Sequence, residues 1–314
     1  TPTPTITPTP TRGFLPPPTG LTGRLSAWGG EGDARRPGYL PLGYFDLQNN
    51  LNFLRVGDRL ARFVNFSPNG QRLLYGRASL DQPGSVLESS NLTGGEQDAL
   101  VLLWQDTDTV LFNEMPSYGP TGNQLTFVAV PSAVGTITNE VYTLALAGTD
   151  GGSPLRQVTN DGDANFEFPQ ISPDGSRIVA VRTSALDNST DLVVIDIASG
   201  TQTPLTTDLT TFTETTPRWT RDASQIYYAA APANAPENRD IFIRPATGVG
   251  TPQTLVADPA DDSFPVVSPD GRHLAFSSDR GGAGYEIYIM EIQTGALSQL
   301  TNNEFDDFAG SWVP

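Results

Sequence analysis

A tight-turn signature recurs along the chain and constrains what it can fold into more than any other feature. The clearest copies are Ile171-Ser172-Pro173-Asp174-Gly175-Ser176-Arg177-Ile178-Val179-Ala180-Val181 and Val267-Ser268-Pro269-Asp270-Gly271-Arg272-His273-Leu274-Ala275-Phe276. Weaker copies are Phe66-Ser67-Pro68-Asn69-Gly70, Tyr118-Gly119-Pro120-Thr121-Gly122 and Trp219-Thr220-Arg221-Asp222-Ala223. Proline presets φ at the second turn position, Asp or Asn caps the turn with its own side chain, and Gly accepts the positive φ that follows. Each signature therefore joins two apolar strands. The first apolar residues of the second strands are Leu25, Leu73, Leu125, Ile178, Ile226 and Leu274, spaced by 48, 52, 53, 48 and 48 residues with a mean of 49.8.

That period lies in the range of propeller blades and far above that of leucine-rich or ankyrin units. Two more strand-like runs follow each signature, such as Asp191–Ile197 with Thr203–Thr206, and Tyr285–Met290 with Leu297–Thr301. Four strands per unit is the count of a blade. The ends supply a stricter test. The first unit has Arg24–Trp28 and Gly43–Leu47 but no strand before them, whereas Phe308–Pro314 is a first strand with nothing after it. Joined, they complete one blade and remove the open edge of a linear array. The expectation is an all-β, six-bladed β-propeller of four-stranded antiparallel blades over residues 20–314, closed by pairing of the C-terminal strand with the N-terminal blade.

Composition then narrows function. Among 314 residues there are 18 Lys+Arg, all of them arginine, against 35 Asp+Glu, for a formal net charge of −17. Nucleic acid and an anionic membrane surface both demand a basic face, so neither is an expected partner. No run reaches the ~18 apolar residues of a membrane span, so no membrane insertion is expected of this chain. There is no cysteine and a single histidine, His273. Thiolate chemistry, disulfides and Cys-based metal sites are thereby excluded, and any triad would have to use His273. His273 shares its strand position with Arg24, Arg72, Gln124, Arg177 and Gln225, which marks a solvated strand residue, and no Gly-x-Ser-x-Gly elbow accompanies it. The expectation is that the protein is not an enzyme and carries no cofactor.

Residues 1–19 stand apart as a Thr/Pro-rich extended tail or linker. Thr1-Pro2-Thr3-Pro4-Thr5-Ile6-Thr7-Pro8-Thr9-Pro10-Thr11 cannot bury a core, and the composition suits a spacer of an exported protein. The chain begins with Thr1 and not Met, so it is expected to be either processed or a fragment, a removed signal peptide being the simplest account. Strand geometry offers a sharper reading. In an extended chain successive N–H groups point to opposite sides, so Thr1, Thr3, Thr5, Thr7 and Thr9 keep the donors of one edge. The other edge, Ile6 apart, has acceptors and no donors. Such an arm can add to another molecule's sheet edge but cannot itself be stacked further.

The repeat as a whole resembles the TolB-type six-bladed propeller family, whose units are similar in pattern to Asp-x-x-Pro-x-Trp-Ser-Pro-Asp-Gly, an Ile-x-Phe strand, an Ile-Tyr-x-Met strand and a closing Leu-Thr. The best match is Asp262-Ser263-Phe264-Pro265-Val266-Val267-Ser268-Pro269-Asp270-Gly271, then Ile287-Tyr288-Ile289-Met290 and Leu300-Thr301. The resemblance covers roughly residues 20–314 and is strongest in the C-terminal half. It implies the fold; such propellers serve as envelope-complex subunits, peptidase gating domains, sensors and surface modules, so it does not choose a function.

Carboxylates are the remaining candidates. Five residues before the apolar residue that precedes each turn stand Asn113, Glu214, Asp262 and Asp307, with Phe166 breaking the series. Equivalent positions in a propeller lie near one end of the central channel. Converging acids there would take a hard cation such as calcium, the bland alternative being that each caps its own turn. Asn160–Asn165 places Asp161 and Asp163 at alternate positions as calcium loops do, yet lacks the glycine and distal glutamate of an EF-hand loop. Asn65, Asn91 and Asn188 head formal N-glycosylation sequons, of which the first is expected to be unused because it falls in an inner strand before Pro68.

The leading expectation is a non-enzymatic, extracytoplasmic propeller, secreted, periplasmic or at the cell surface. It would work by contact with protein partners, copies of itself included, and its arm suggests assembly into an extracellular filament. The alternatives are a ligand- or cation-binding sensor or envelope-complex propeller, and an accessory propeller of a hydrolase.

Overall fold

The computed structural model describes residues 13–15, 17–18, 20–29, 40–49, 51–78, 85–95, 98–99, 113–129, 138–146, 155–207, 212–282 and 284–314. Every structural statement below concerns these. The arm residues Thr1, Thr3, Thr5, Ile6, Thr7 and Thr9 lie outside them.

All the regular elements are strands, and each of the six repeat-phase residues occupies the second position of a strand: Leu25, Leu73, Leu125, Ile178, Ile226 and Leu274, all fully buried. Four antiparallel sheets of four strands are separate blades. Blade three is Asn113–Tyr118, Gln124–Ala129, Glu140–Ala145 and Leu155–Gln157; blade four is Ala164–Ile171, Arg177–Ser184, Thr190–Asp196 and Gln202–Pro204. Blade five is Phe212–Trp219, Gln225–Pro232, Asp240–Pro245 and Gln253–Val256; blade six is Asp262–Val267, His273–Ser278, Glu286–Glu291 and Leu297–Gln299. In each, the first strand in sequence is the inner one.

Blades one and two are fused into one seven-stranded sheet. The closing strand Asp307–Val313 pairs with Arg24–Gly29, which pairs with Leu40–Asp46, as the repeat phase requires. The next strand, Leu51–Phe66, is 16 residues long and serves both blades. Its first part is the outer strand of blade one and its last part the inner strand of blade two, with Ala61 opposite Leu40 on one side and Arg77 on the other. Strands Arg72–Ala78, Ser85–Asn91 and Asp98–Ala99 complete blade two.

Six apolar clusters, one between each pair of neighbouring blades, make the ring continuous. Because each sheet is covered on both faces, its second strand is buried in a run, whereas an inner strand such as Ala164–Ile171 alternates. Ile178, Val179, Ala180 and Val181 are all at most 1% exposed. The cluster between blades six and one holds Leu25, Phe45, Val266, Ile287, Ala309 and Trp312, so closure buries apolar surface as well as pairing backbone. A hydroxyl stitch adds to it: Ser26 Oγ donates to Val64 O at 2.9 Å and accepts from Ser311 N at 2.8 Å, and Phe66 N donates to Ser311 Oγ at 2.7 Å.

Gly13–Phe14, just after the Thr/Pro stretch, pairs antiparallel with Thr301–Asn302, and Leu15 N donates to Leu300 O at 2.9 Å. The chain therefore reaches the ring as an extended segment laid along blade six.

Candidate functional site

The turns follow their sequence. In blade four Ser172 Oγ donates to Asp174 Oδ1 at 2.6 Å, Ser176 N donates to the same oxygen at 2.9 Å, and Gly175 holds φ at 76°. These bonds to the ionised carboxylate hold Asp174 well below the usual aspartate range. The turns stand at the far ends of the inner strands and ring one mouth of the channel.

Half-way along each inner strand the backbone breaks register. The residues at the break adopt the left-handed conformation: Phe63, Met115, Phe168, Thr216 and Phe264, with φ between 49° and 55°. Side chains rarely tolerate this, and each instance costs about 1–2 kcal/mol. The bulge bends the strand and re-aims its side chain. The phenyl groups of blades two, four and six meet, with ring centroids 5.8 Å apart for Phe63 and Phe168 and 6.0 Å for Phe168 and Phe264. Trp28 packs on both Phe63 and Phe264, and Phe308 on Phe264. From the blades between, Met115 Sδ accepts from Phe168 N at 3.1 Å and Thr216 Oγ1 from Phe264 N at 3.3 Å. An aromatic plug thus occupies the middle of the ring. Its only mark in the sequence is a bulge residue directly before Pro116, Pro169, Pro217 and Pro265. Proline suits a strand whose free edge faces a channel, because it removes an N–H that has no partner there.

The carboxylate column lies before the plug. Asn113, Phe166, Glu214, Asp262 and Asp307 are register-equivalent, as the sequence indicated, but the three acids sit in separate surroundings. Glu214 accepts from Thr190 Oγ1 at 3.2 Å and lines a cleft of about 280 Å³ between blades four and five with Tyr228, Phe242 and Arg244. Asp262, fully buried, takes Arg280 Nη2 at 2.8 and 2.9 Å, and Arg280 in turn lies 5.1 Å from the ring centres of Phe276 and Tyr288. Asp307 accepts from Asn303 Nδ2 at 2.6 Å, and burial, with the charge of Glu286 adding to it, raises its carboxyl to about 7.

In the loop of blade four, Asp161 is bound by Arg182 through Nε and Nη2, both at 2.9 Å, and its N–H donates to Glu140 at 2.8 Å. Asp163 is exposed and turns its N–H toward Asp161 Oδ1 at 3.3 Å. Among the described residues, no three Asp, Glu or His side chains gather closely enough to hold a metal ion. His273 starts its strand beside the turn, its N–H donating to Ser268 Oγ at 2.9 Å. Asn65 is buried and donates to Phe63 O and Pro116 O, both at 2.9 Å, which leaves no free amide at that sequon.

Beyond the plug, on the turn side, the channel widens into a cavity of about 770 Å³ to which all six blades contribute. At its wall stands a second register-equivalent ring: Asn65, Ser117, Gln170, Arg218, Val266 and Ser311. This ring was not evident from the residue types alone. It lies two residues past the bulge in blades two to six, so its signal was in the same column as the plug.

No family model matches the sequence. No curated protein matches it either. Among solved structures, TolB from Acinetobacter baumannii superposes with a TM-score of 0.69 at 18% identity, over 93% of this chain and 67% of that one. The nidogen/laminin complex gives 0.63 at 10% identity, over 93% and 98%. An oligogalacturonate lyase in complex with manganese gives 0.58 at 14% identity, over 84% and 71%. The fold is that of a TolB-type β-propeller.

Proposed function

We propose that this chain is a non-enzymatic, extracytoplasmic propeller that acts by protein contact, and that its Thr/Pro arm joins copies into a filament. The observation that carries the contact reading is how the buried acids are used: Asp262 is held by Arg280, Asp161 by Arg182 and Asp261 by Arg239. These pairs commit three of the buried acids to holding the ring together. Similarity of fold to TolB and to the nidogen/laminin complex fits a contact module. Similarity to a lyase is the reason to test activity as well.

For the arm, support comes from the segment next to it. Gly13–Phe14 already lies on Thr301–Asn302 as an added strand, so extended pairing along a blade is a mode this chain uses. An arm with donors on one edge only would end such pairing after one partner, giving a linear array and not an open sheet. The test is light scattering and negative-stain imaging of the full chain beside one lacking residues 1–11. Filaments that vanish with the arm are expected; a strictly monomeric full chain, or filaments indifferent to the deletion, would sink the assembly. Contact without catalysis is checked separately by incubating the protein with acidic oligosaccharides, where no turnover is expected.

A further inference from the structure

We propose that the turn-side cavity is a binding site for a small organic oxyanion, a carboxylate or phosphate monoester, with Arg218 as its counter-charge and Gln170 as a second donor. The starting observation is an arginine out of keeping with the rest of the molecule. Acids outnumber arginines 35 to 18, and Arg77, Arg177, Arg182, Arg239 and Arg280 each pair with a carboxylate. Arg218 has no such partner among the described residues. Its Nη2 donates to Gly310 O at 3.1 Å, and its Nε is buried with no partner at all. The residue as a whole is half-buried and lines the cavity. Burial alone lowers the guanidinium to about 10, with no carboxylate opposing the shift, so it stays charged at neutral pH.

A guanidinium that is partly shielded from water and lacks a carboxylate costs stability, and an apolar side chain of similar length would fill the space without that cost. Its surroundings have the make-up of a ligand site. The volume of about 770 Å³ falls within the range of small-molecule pockets, and Phe66, Tyr118, Trp219 and Trp312 offer apolar wall for an organic body. Gln170 occupies the equivalent position on the adjacent blade, and its side-chain amide has no hydrogen-bond partner among the described residues; its backbone pairs with Val179, and its carbonyl accepts from Trp219 Nε1 at 3.0 Å. The aromatic plug forms an apolar floor, and an ion pair made above such a floor is stronger than one in water. A planar guanidinium fork matches carboxylate and phosphate oxygens equally well. This inference stands whether or not the chain works by protein contact.

The experiment titrates the full chain with benzoate, phenyl phosphate, inorganic phosphate and uncharged methyl benzoate, followed by calorimetry and by the fluorescence of Trp219 and Trp312. One-to-one saturable binding of benzoate or phenyl phosphate is expected, with methyl benzoate silent; which of the two binds tighter separates a carboxylate ligand from a phosphate one. R218Q is expected to weaken that binding at least tenfold and R218K less. Gln170→Glu supplies an internal counter-ion, so it should raise the melting temperature while abolishing binding, and it answers the question even if R218Q fails to fold. No binding at millimolar anion, or equal binding by wild type and Q170E, overturns the proposal.

Discussion

At the scale of single residues, the turn column contains its own experiment. Gly70, Gly122, Gly175 and Gly271 hold the last turn position at φ between 65° and 76°, whereas blade five places Ala223 there at 57°. Alanine in that region carries about 1–2 kcal/mol of strain, partly offset because glycine loses about 0.5–1 kcal/mol more backbone freedom on folding. Ala223→Gly is therefore expected to stabilise by about 0.5 kcal/mol. At Gly271 an added Cβ would meet nothing within 4 Å, so Gly271→Ala carries only the conformational term and should cost about 1 kcal/mol. Urea midpoints at constant slope measure both, and equal signs for the two substitutions would refute the strain argument. This column was legible in the sequence because turn chemistry is local: the residues that dictate it are adjacent. Arg218 was not legible, since what sets it apart is the lack of a carboxylate among residues distant in sequence.

At the scale of elements, the closing Leu-Thr of the repeat gains a mechanism. In blade four Thr206 Oγ1 donates to Asp191 Oδ1 at 3.1 Å and accepts from Leu192 N at 2.8 Å; Thr159 and Thr301 hold Val141 N and Ile287 N in the same way at 2.9 and 2.8 Å. One hydroxyl thus satisfies an acid and an amide at the start of the third strand, just where the outer strand ends. Thr206→Val keeps the shape and removes both bonds from a buried site, so a loss of about 2–3 kcal/mol is expected, with Thr206→Ser recovering most of it. A valine variant as stable as the wild type would mean that water replaces the hydroxyl. The sequence showed four strands per unit and the position of each turn. It did not show that Leu51–Phe66 runs unbroken through two blades, because strand periodicity marks pairing competence and not which neighbour is paired. The bulges left only an indirect mark in it, the prolines Pro116, Pro169, Pro217 and Pro265 that follow four of the positive-φ residues.

At the scale of the whole molecule, ring closure is expected to respond to pH. Asp307 opens the closing strand, and its carboxyl lies beside Asn303, Thr301 and Glu286, with Asp306 near Glu286. Burial raises Asp307 to about 7 and also raises Glu286, Glu140 and Glu167. A carboxyl whose folded value lies above its unfolded one, about 4, binds more protons in the native state across the interval between them. Stability from such a group is complete below pH ~4 and is lost as pH rises toward 7. Asp174, Asp222 and Asp270 are shifted the opposite way by their turn hydrogen bonds, so their contribution fades only as pH falls below about 4. The melting temperature should therefore peak in mildly acid solution, near pH 4–6, and decline toward pH 8. Asp307→Asn keeps the hydrogen-bonded shape and removes the charge that faces Glu286. It should flatten that decline and stabilise the ring at pH 8, by up to about 4 kcal/mol if the full shift is realised and by less if Glu286 takes over the titration. Melting curves of both proteins from pH 4 to 8 decide the matter. A wild type that gains stability from pH 5 to 8, or a D307N variant whose profile runs parallel to it, would show that the two carboxylates do not share a proton at the seam.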